Sequence, residues 1–320
     1  MIGMKQNEKI FVAGHKGLVG SALVRALHRQ GYDNLVFRTH AEMDLENQGA
    51  VFEFFERERP DCVFLAAAFV GGIYANNTYP ADFIRSNLSI QGNVIEAARR
   101  SKVRKLMFLG SSCIYPRLAP QPMKEEYLLT GALEPTNAPY AVAKIAGIVT
   151  CQSYNRQFKT NFISVMPTNL YGPEDNFDLL TGHVPPAMIR KFHEAKVSGT
   201  ASVPIWGTGK ARREFLHADD MAEACLYLMK TYDSSEIINI GCGEDVSIGE
   251  LAQMIRKVVG FQGAITFDPG KPDGMPRKLL DVSRLFKTGW RPRIGLEDGL
   301  ASTYRWYVEN ESLIRQALGK

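Results

Sequence analysis

The stretch K-I-F-V-A-G-H-K-G-L-V-G, residues 9–20, decides the fold of this chain. Its first half is a short apolar run typical of a buried strand, and glycines follow at positions 14, 17 and 20 as a helical pattern begins. A turn without side chains lets backbone N–H groups and the helix N-terminus approach a pyrophosphate and stabilise its charge. The stretch therefore predicts a dinucleotide site at Gly14, Lys16, Gly17, Leu18, Val19 and Gly20; the alternative is a merely structural glycine turn, against which the strand before it and the helix after it argue.

Strand-like and helix-like patterns alternate after this turn. The further short apolar runs are 62–68, 106–112, 162–167 and 237–241. The helical patterns are near 18–30, 47–58, 87–100 and 140–158. Continuous apolar strands separated by helices are typical of a parallel sheet covered on both faces. The sequence thus predicts an α/β fold with a doubly wound parallel sheet of the Rossmann type.

A change in the sequence pattern after Gly172, from long regular elements to short interrupted ones, predicts a second, smaller α/β lobe. Prolines and glycines interrupt shorter elements until about residue 216, and a long apolar stripe resumes at 216–230. Ser247 and Glu250 have the spacing of a capping box that opens the next helix. We therefore expect a dinucleotide-binding domain at 1–172 plus about 217–244, and a substrate-binding lobe at 173–216 plus 245–320.

Composition excludes several classes of protein. The net charge of +4 is spread along 320 residues without a basic run, which argues against a nucleic-acid partner and allows an anionic small molecule. The five cysteines contain no CxxC pair, so neither a disulfide framework nor a metal site is expected. Neither a signal pattern nor a membrane-spanning apolar window is found, and we expect a cytoplasmic protein in a reducing compartment.

The end of the second strand indicates which dinucleotide binds. An NAD site usually has an acidic residue there, about 20 residues past the glycines, for the ribose 2′-hydroxyl. Here the strand ends at Arg38, whose guanidinium suits a 2′-phosphate, and Lys16 lies within reach of the same group. These residues favour NADP(H); the alternative is that both cations are merely solvated surface.

Tyr140 and Lys144, in P-Y-A-V-A-K, are the candidate catalytic pair. Positions i and i+4 share one face of a helix, and an ammonium beside a phenol is expected to lower the pKa of the phenol. Such a pair also arises by chance, but this one follows a strand that ends in Ser111 and Ser112. A serine hydroxyl there can hydrogen-bond the substrate oxygen that Tyr140 protonates, and the set predicts hydride transfer.

These motifs together resemble the extended short-chain dehydrogenase/reductase family. Four stretches narrow the resemblance to members that convert GDP-4-keto-6-deoxy-D-mannose to GDP-L-fucose with NADPH. They are G-S-S-C-I-Y-P, L-E-P-T-N-A-P-Y-A-V-A-K-I-A-G, V-M-P-T-N-L-Y-G-P and K-P-D-G-M-P-R-K-L-L-D-V. The resemblance runs from about residue 9 to 290 and implies two epimerisations followed by a reduction.

Cys113 and His183 are the residues to which the resemblance assigns the epimerisations. Protons on C3 and C5 of a 4-keto sugar are acidified by the carbonyl, and a thiol can remove them if the enolate is stabilised. An acid on the opposite face must then return a proton, and the resemblance places His183 there. Without the resemblance, Cys113 would be interpreted as a small buried hydrophobic residue, and His183 as a helix cap or a surface residue.

The resemblance also assigns binding residues. Its cofactor residues include Leu109, Gly110, Ser111, Ser112, Lys144, Pro167, Thr168, Asn169, Leu170 and His183. Contacts to the GDP-sugar are assigned to Lys191, Trp206, Arg213 and Asp273, and the helices at 87–100 and 140–158 are expected to form a homodimer. His40 stands where some members carry arginine, which weakens the preference for the 2′-phosphate.

Two other functions stay open from the sequence. One is another nucleotide-sugar 4-epimerase, or a 4-reductase without epimerisation, which needs neither Cys113 nor His183. The other is a catalytically silent dinucleotide sensor, against which the intact Ser111, Tyr140 and Lys144 argue.

Overall fold

The computed structural model describes residues 4–271 and 273–318. Its strands are β1 (Ile10–Ala13), β2 (Leu35–Val36), β3 (Cys62–Leu65), β4 (Lys105–Leu109), β5 (Phe162–Pro167), β6 (Asn169–Tyr171), β7 (Ser202–Trp206), β8 (Arg212–Arg213), β9 (Phe215–His217), β10 (Ile238–Ile240), β11 (Val246–Ser247), β12 (Ala264–Asp268) and β13 (Arg277–Lys278). Its helices are α1 (Leu18–Arg29), α2 (Gln48–Glu58), α3 (Ile73–Thr78), α4 (Pro80–Arg100), α5 (Ala138–Phe158), α6 (Val184–Ser198), α7 (Ala218–Thr231), α8 (Ile248–Val259), α9 (Ser283–Lys287) and α10 (Leu296–Leu318).

A six-stranded parallel sheet forms the centre of the molecule, in the order β10-β5-β4-β3-β1-β2. Every residue of β1, β3, β4, β5 and β10 is buried, because helices cover both faces. The predicted doubly wound sheet is confirmed, and so are all five of the predicted apolar strands.

The order of the strands creates a crevice at the end of β1. The chain leaves β1 for β2 on one side and returns to β3 on the other, so the connections diverge between β1 and β3. In such sheets ligands bind at this switch point, beyond the carboxyl ends of the strands. Gly14 follows β1 there, and a Cβ on it would lie 2.7 Å from the backbone nitrogen of Ala67, which follows β3.

Two apolar cores cover the two faces of the sheet. One contains residues of α1 and α7, such as Leu23 and Leu228, and the other contains residues of α2, α4 and α5, such as Phe55 and Ile148. The helical pattern at 87–100 begins earlier than expected, at Pro80, because proline fits the first position of a helix.

A third core joins α6, α8 and α10 to β7. It contains Ile189, Val203, Ile255 and Leu300, and β7 pairs with β12 beside it. The stretch after Gly172 was expected to hold only short elements, but α6 runs for 15 residues because its prolines lie in its first turn. The predicted capping box is present, since the Ser247 side chain accepts from the Glu250 backbone and Glu250 accepts from that of Ser247.

The predicted division into two domains stays a prediction. Leu280 and Val282 pack in one core of the large sheet, and Leu285 and Trp290 in the other, although the predicted boundary puts these residues in the second lobe. Among the described residues, no helix has both the length and the apolar character needed to cross a membrane.

Candidate active site

The glycine turn leaves the first turn of α1 open to a ligand. Gly17 is the N-cap of α1 and has no side chain to occupy the free N–H groups. Gly14 has a φ of +85°, and a Cβ on Gly20 would overlap the Gly14 carbonyl oxygen. The turn therefore fits a pyrophosphate, because the N–H groups of Leu18, Val19 and Gly20 are not covered by side chains of the turn.

Arg38 and Lys16 bring positive charge to the end of β2. Arg38 pairs with Glu58 at 2.9 Å, and its guanidinium lies 5.2 Å from the centre of the Phe54 ring. Hydrogen bonds from Thr39, followed by the charges of Arg38 and Lys16, lower the pKa of Glu42. Both cations therefore lie near one carboxylate beside the turn, although Arg38 already has a partner. His40 has an 83% exposed side chain, 3.8 Å from Asp44.

The end of β4 presents Ser111 and Cys113. A single 3-10 turn, Ser112–Ile114, follows the strand, and the Ser111 hydroxyl accepts a hydrogen bond from the Cys113 backbone at 3.2 Å. The turn buries Ser112 but leaves Ser111 and Cys113 partly exposed. The thiol is therefore accessible, as a group that acts on a substrate must be.

Lys144 lies beneath Tyr140 on α5. Its ammonium donates to the Leu109 carbonyl at 2.8 Å and lies 5.7 Å from the centre of the Tyr140 ring. Burial raises the pKa of Tyr140, the nearby Cys113 raises it further, and a hydrogen bond with Ser111 acts against both. The expected lowering of this pKa is thus wrong, and the net direction is upward. Burial also lowers the pKa of Lys144 to about 8.

Lys278 is a site residue that the sequence analysis missed. Its ammonium donates a hydrogen bond of 3.5 Å to the sulfur of Cys113. It lies on β13, in register with Arg213 on β8. The only signal in the sequence was its place in K-P-D-G-M-P-R-K-L-L-D-V, since a lysine 165 residues from a cysteine carries no local pattern.

His183 is held at the beginning of α6, where it is the N-cap residue. Its Nδ1 lies 3.7 Å from Asp175 Oδ1, and 48% of its side chain is exposed. Burial acts to lower the pKa of His183, the Asp175 carboxylate outweighs it, and the net direction is upward although Lys278 opposes it. Lys278 thus contacts Cys113 and also lies close enough to His183 to influence its charge.

Lys191 and Trp206 adjoin in the second lobe. The Lys191 ammonium lies 5.3 Å from the centre of the Trp206 ring, and Lys271 lies 5.6 Å from it. Half of Trp206 is exposed, and burial lowers the pKa of Lys191. An exposed aromatic face flanked by cations suits a base and a phosphate of a nucleotide.

The two arginines of β8 have different environments. Arg212 pairs with Asp245 at 2.7 Å, whereas Arg213 makes hydrogen bonds to backbone carbonyls, those of Arg212 and Asp273. The Asp273 carboxylate accepts from the Thr208 backbone and hydroxyl, both at 2.7 Å. Within the described part of the chain Arg212 has carboxylate partners within 4 Å and Arg213 has backbone partners, so Arg213 is the arginine of the two whose charge is more available to a ligand.

The stretch at 167–170 connects the sheet to the second lobe. Thr168 donates its backbone N–H to Ile240, and Asn169 donates its side chain to the Glu214 carbonyl at 2.8 Å. Pro167 ends β5 and is in register with Ile240, and Leu170 on β6 is in register with Leu216 on β9. The structure thus brings this stretch close to Arg213, as expected for a lining of the site.

Comparisons with known proteins agree with this geometry. A model of the NAD dependent epimerase/dehydratase family matches residues 10–241. GDP-L-fucose synthase 1 of Arabidopsis thaliana is 59% identical over 305 residues, 95% of this chain and 94% of the relative. A crystal structure of a GDP-L-fucose synthetase from Naegleria fowleri bound to NADP has a TM-score of 0.92 and 31% identity, and covers 97% of this chain and 96% of that one.

The solved structure of a reductase is also similar to the structure of this chain. The crystal structure of a GDP-6-OMe-4-keto-L-xylo-heptose reductase from C. jejuni has a TM-score of 0.91 and 42% identity, over 96% of this chain and 99% of that one. Since the family model spans the glycine turn, the end of β4 and the Tyr140–Lys144 pair, the protein belongs to the NAD dependent epimerase/dehydratase family.

Proposed function

We propose that this protein is an NADP(H)-dependent epimerase-reductase that converts GDP-4-keto-6-deoxy-D-mannose to GDP-L-fucose. The observation that carries the proposal is that the residues for carbonyl reduction and the thiol for epimerisation lie together at the end of β4. Ser111, Tyr140 and Lys144 form a carbonyl-reducing set at the end of β4, and Cys113 lies among them, joined to the second lobe by its hydrogen bond from Lys278. The 59% identity to a plant GDP-L-fucose synthase over nearly the whole chain supports it.

Cys113 and His183 perform the epimerisations in this mechanism. Cys113 removes the proton from C3 and, in a separate round, from C5, and in each round the electron pair moves into the C4 carbonyl as an enolate. Ser111 and Tyr140 donate hydrogen bonds to that oxygen and stabilise its negative charge. His183 then delivers a proton to the opposite face of the carbon, which inverts it.

Tyr140 and Lys144 perform the proton chemistry of the reduction. NADPH, when bound, supplies the hydride that C4 receives. The upward direction of the Tyr140 pKa keeps the phenol protonated, so it is ready to give its proton to the C4 oxygen. The Lys144 ammonium provides positive charge beside the phenolate that remains.

The second lobe binds the nucleotide in this proposal. Lys191 and Arg213 are placed to receive the diphosphate, Trp206 offers its exposed face to the base, and Asp273 accepts hydrogen bonds from the nucleoside. On the cofactor side, Lys16 and Arg38 are the residues for the 2′-phosphate. This agrees with the NADP in the Naegleria fowleri protein.

A homodimer built on α4 and α5 is part of the proposal. The two helices pack side by side, and Leu88, Val142 and Val149 remain at least 40% exposed on them. A Cβ on Gly92, one turn after Leu88, would meet nothing within 4 Å. This apolar face suits a second copy, and light scattering would show a dimer that Val149→Glu weakens.

The free cysteines support a reducing, cytoplasmic location.

Isotope exchange tests the function directly. The protein is incubated with GDP-4-keto-6-deoxymannose in heavy water without NADPH, and deuterium at C3 and C5 is followed by mass spectrometry and NMR. We expect exchange at both carbons without NADPH, and loss of this exchange in Cys113→Ser. When NADPH is then added, we expect it to be oxidised as C4 is reduced. Unchanged exchange in Cys113→Ser would refute the role of the thiol.

A 4-reductase without epimerisation is the second candidate. The similarity to the C. jejuni heptose reductase favours it. The same assay separates the two functions, because a simple reductase oxidises NADPH without placing deuterium at C3 or C5.

A further inference from the structure

Asp175 has a buried carboxylate in the loop that precedes α6. Only 3% of its side chain is accessible, and its Oδ2 has no hydrogen-bond partner within residues 4–271 and 273–318. Its Oδ1 accepts the Asn176 backbone N–H at 2.8 Å and lies 3.7 Å from His183 Nδ1. Burying a carboxylate with an unpartnered oxygen costs free energy, which calls for a compensating role.

The loop at residues 175–182 is built to hold Asp175 and His183 in place. The Asp178 carboxylate accepts from the backbone of Leu180 and from the backbone and hydroxyl of Thr181, at 2.7 to 3.0 Å. Phe177 is buried in the third core. The Thr181 carbonyl also accepts from the Gly72 backbone, so the loop is fastened to the segment before α3.

We propose that Asp175 is the positioning residue for His183: it orients Nδ1–H toward its carboxylate, leaves Nε2 for the sugar, and keeps the imidazole protonated for delivery to C3 and C5. This inference rests on the proposed function, which makes His183 the acid. The 3.7 Å separation is that of an ion pair, and catalytic hydrogen bonds are often longer in proteins without ligand than in the loaded complex.

The charges around His183 support this role. Asp175 is the carboxylate that faces the imidazole from its own loop, and Lys278 is the cation that acts on it from β13. Burial and Lys278 both favour neutral imidazole, and the net upward direction of the His183 pKa shows that Asp175 outweighs them. Without the carboxylate, the remaining influences of burial and Lys278 would both lower the pKa of His183.

The proton balance of one epimerisation shows why this matters. The C–H bond breaks toward the Cys113 sulfur, the electron pair forms the enolate, and a new C–H bond forms with the proton from His183 Nε2. Sulfur ends protonated and imidazole ends neutral, and exchange with solvent restores both before the second carbon reacts. An imidazole that starts neutral has no proton to give at Nε2 when Nδ1 carries the hydrogen.

Asp175→Asn tests the proposal, because it keeps the size of the side chain and an oxygen for the Asn176 backbone but removes the charge. Exchange into C3 and C5 is measured in heavy water without NADPH from about pH 6 to about pH 9. We expect the exchange rate at the alkaline end to fall about tenfold or more, since the proton donor is lost there. The alkaline limb of the profile should move to lower pH.

Asp178→Asn is the matched control, since it changes an acid to its amide in the same loop without a contact to His183. We expect it to change the exchange rate without moving the alkaline limb. An Asp175→Asn profile with the limb of the wild type would overturn the proposal. Wild-type protein without exchange at either carbon would instead refute the proposed function.

A second measurement does not depend on how the variant folds. The His183 ring protons in the wild-type protein, assigned by their loss in His183→Asn, should titrate above the ordinary value for histidine. Titration below that value would also overturn the role of Asp175.

Discussion

The ammonium of Lys278 and the sulfur of Cys113 lie 3.5 Å apart, although the two residues are 165 positions apart in the sequence. Cys113 follows the strand that carries Ser111, and Lys278 lies on a strand that pairs with Arg213. The contact therefore connects the residues proposed for carbonyl reduction to the arginine proposed for the diphosphate. An ammonium at this distance would stabilise the thiolate form of Cys113, which is the form that the proposed epimerisations need.

Replacing Lys278 should impair the epimerisations. In Lys278→Met the sulfur loses the ammonium that donates to it, and exchange into C3 and C5 at saturating substrate should fall about a hundredfold, as for loss of a preorganised charge. The measurement is exchange in heavy water without NADPH. Lys287→Met removes an exposed lysine instead and should leave the rate unchanged. If Lys278→Met raised only the KM for the GDP-sugar, the lysine would bind phosphate and not assist the thiol.

The reduction should slow as pH rises through about 8. Burial lowers the pKa of Lys144 to about 8, so its ammonium is present below that pH and is lost above it. The neutral amine no longer stabilises the phenolate that Tyr140 becomes. We expect the kcat for NADPH oxidation to decline on this alkaline side. Lys144→Arg keeps the charge and should move the decline to higher pH, with a lower maximum; a decline at the same pH would assign it to another group.

Replacing Arg213 should weaken binding of the GDP-sugar, whereas replacing Arg212 should lower the stability of the fold. Arg213→Met removes the cation proposed for the diphosphate, and the KM for the GDP-sugar should rise about tenfold to a hundredfold, as expected for a charge-assisted contact of about 1.5 to 3 kcal/mol. Arg212→Met breaks the pair with Asp245 and should lower the melting temperature while the KM changes little. Steady-state kinetics and calorimetry on both variants check this. Equal KM values in the two variants would contradict the assignment.

The glycine turn should tolerate a methyl group at one glycine and not at another. A Cβ on Gly20 would overlap the Gly14 carbonyl, whereas a Cβ on Gly17 would be 3.6 Å from that oxygen. Gly20→Ala should therefore cost about 1 to 3 kcal/mol of unfolding free energy and weaken NADPH binding. Gly17→Ala should have little effect on unfolding. Denaturant melts and fluorescence titration with NADPH measure both; equal stability of the two variants would show that the close approach is not needed.

Local patterns in the sequence were enough to predict the buried strands of the large sheet, the glycine turn and the Tyr140–Lys144 pair. Continuous apolar runs mark buried strands and a repeat of about 3.6 residues marks helices, so residues near in sequence already carry these patterns. The capping box of Ser247 and Glu250 was predictable for the same reason, because its two hydrogen bonds close within one turn.

Only the tertiary structure decided which charged groups meet. Nothing local distinguishes Arg212 from Arg213, and their partners come from separate segments that fold onto β8. The contact of Lys278 with Cys113 depends on how the second lobe packs against the sheet, as does the burial that raises rather than lowers the pKa of Tyr140. Charge interactions and desolvation depend on distances through space, and those distances exist only once the cores have packed.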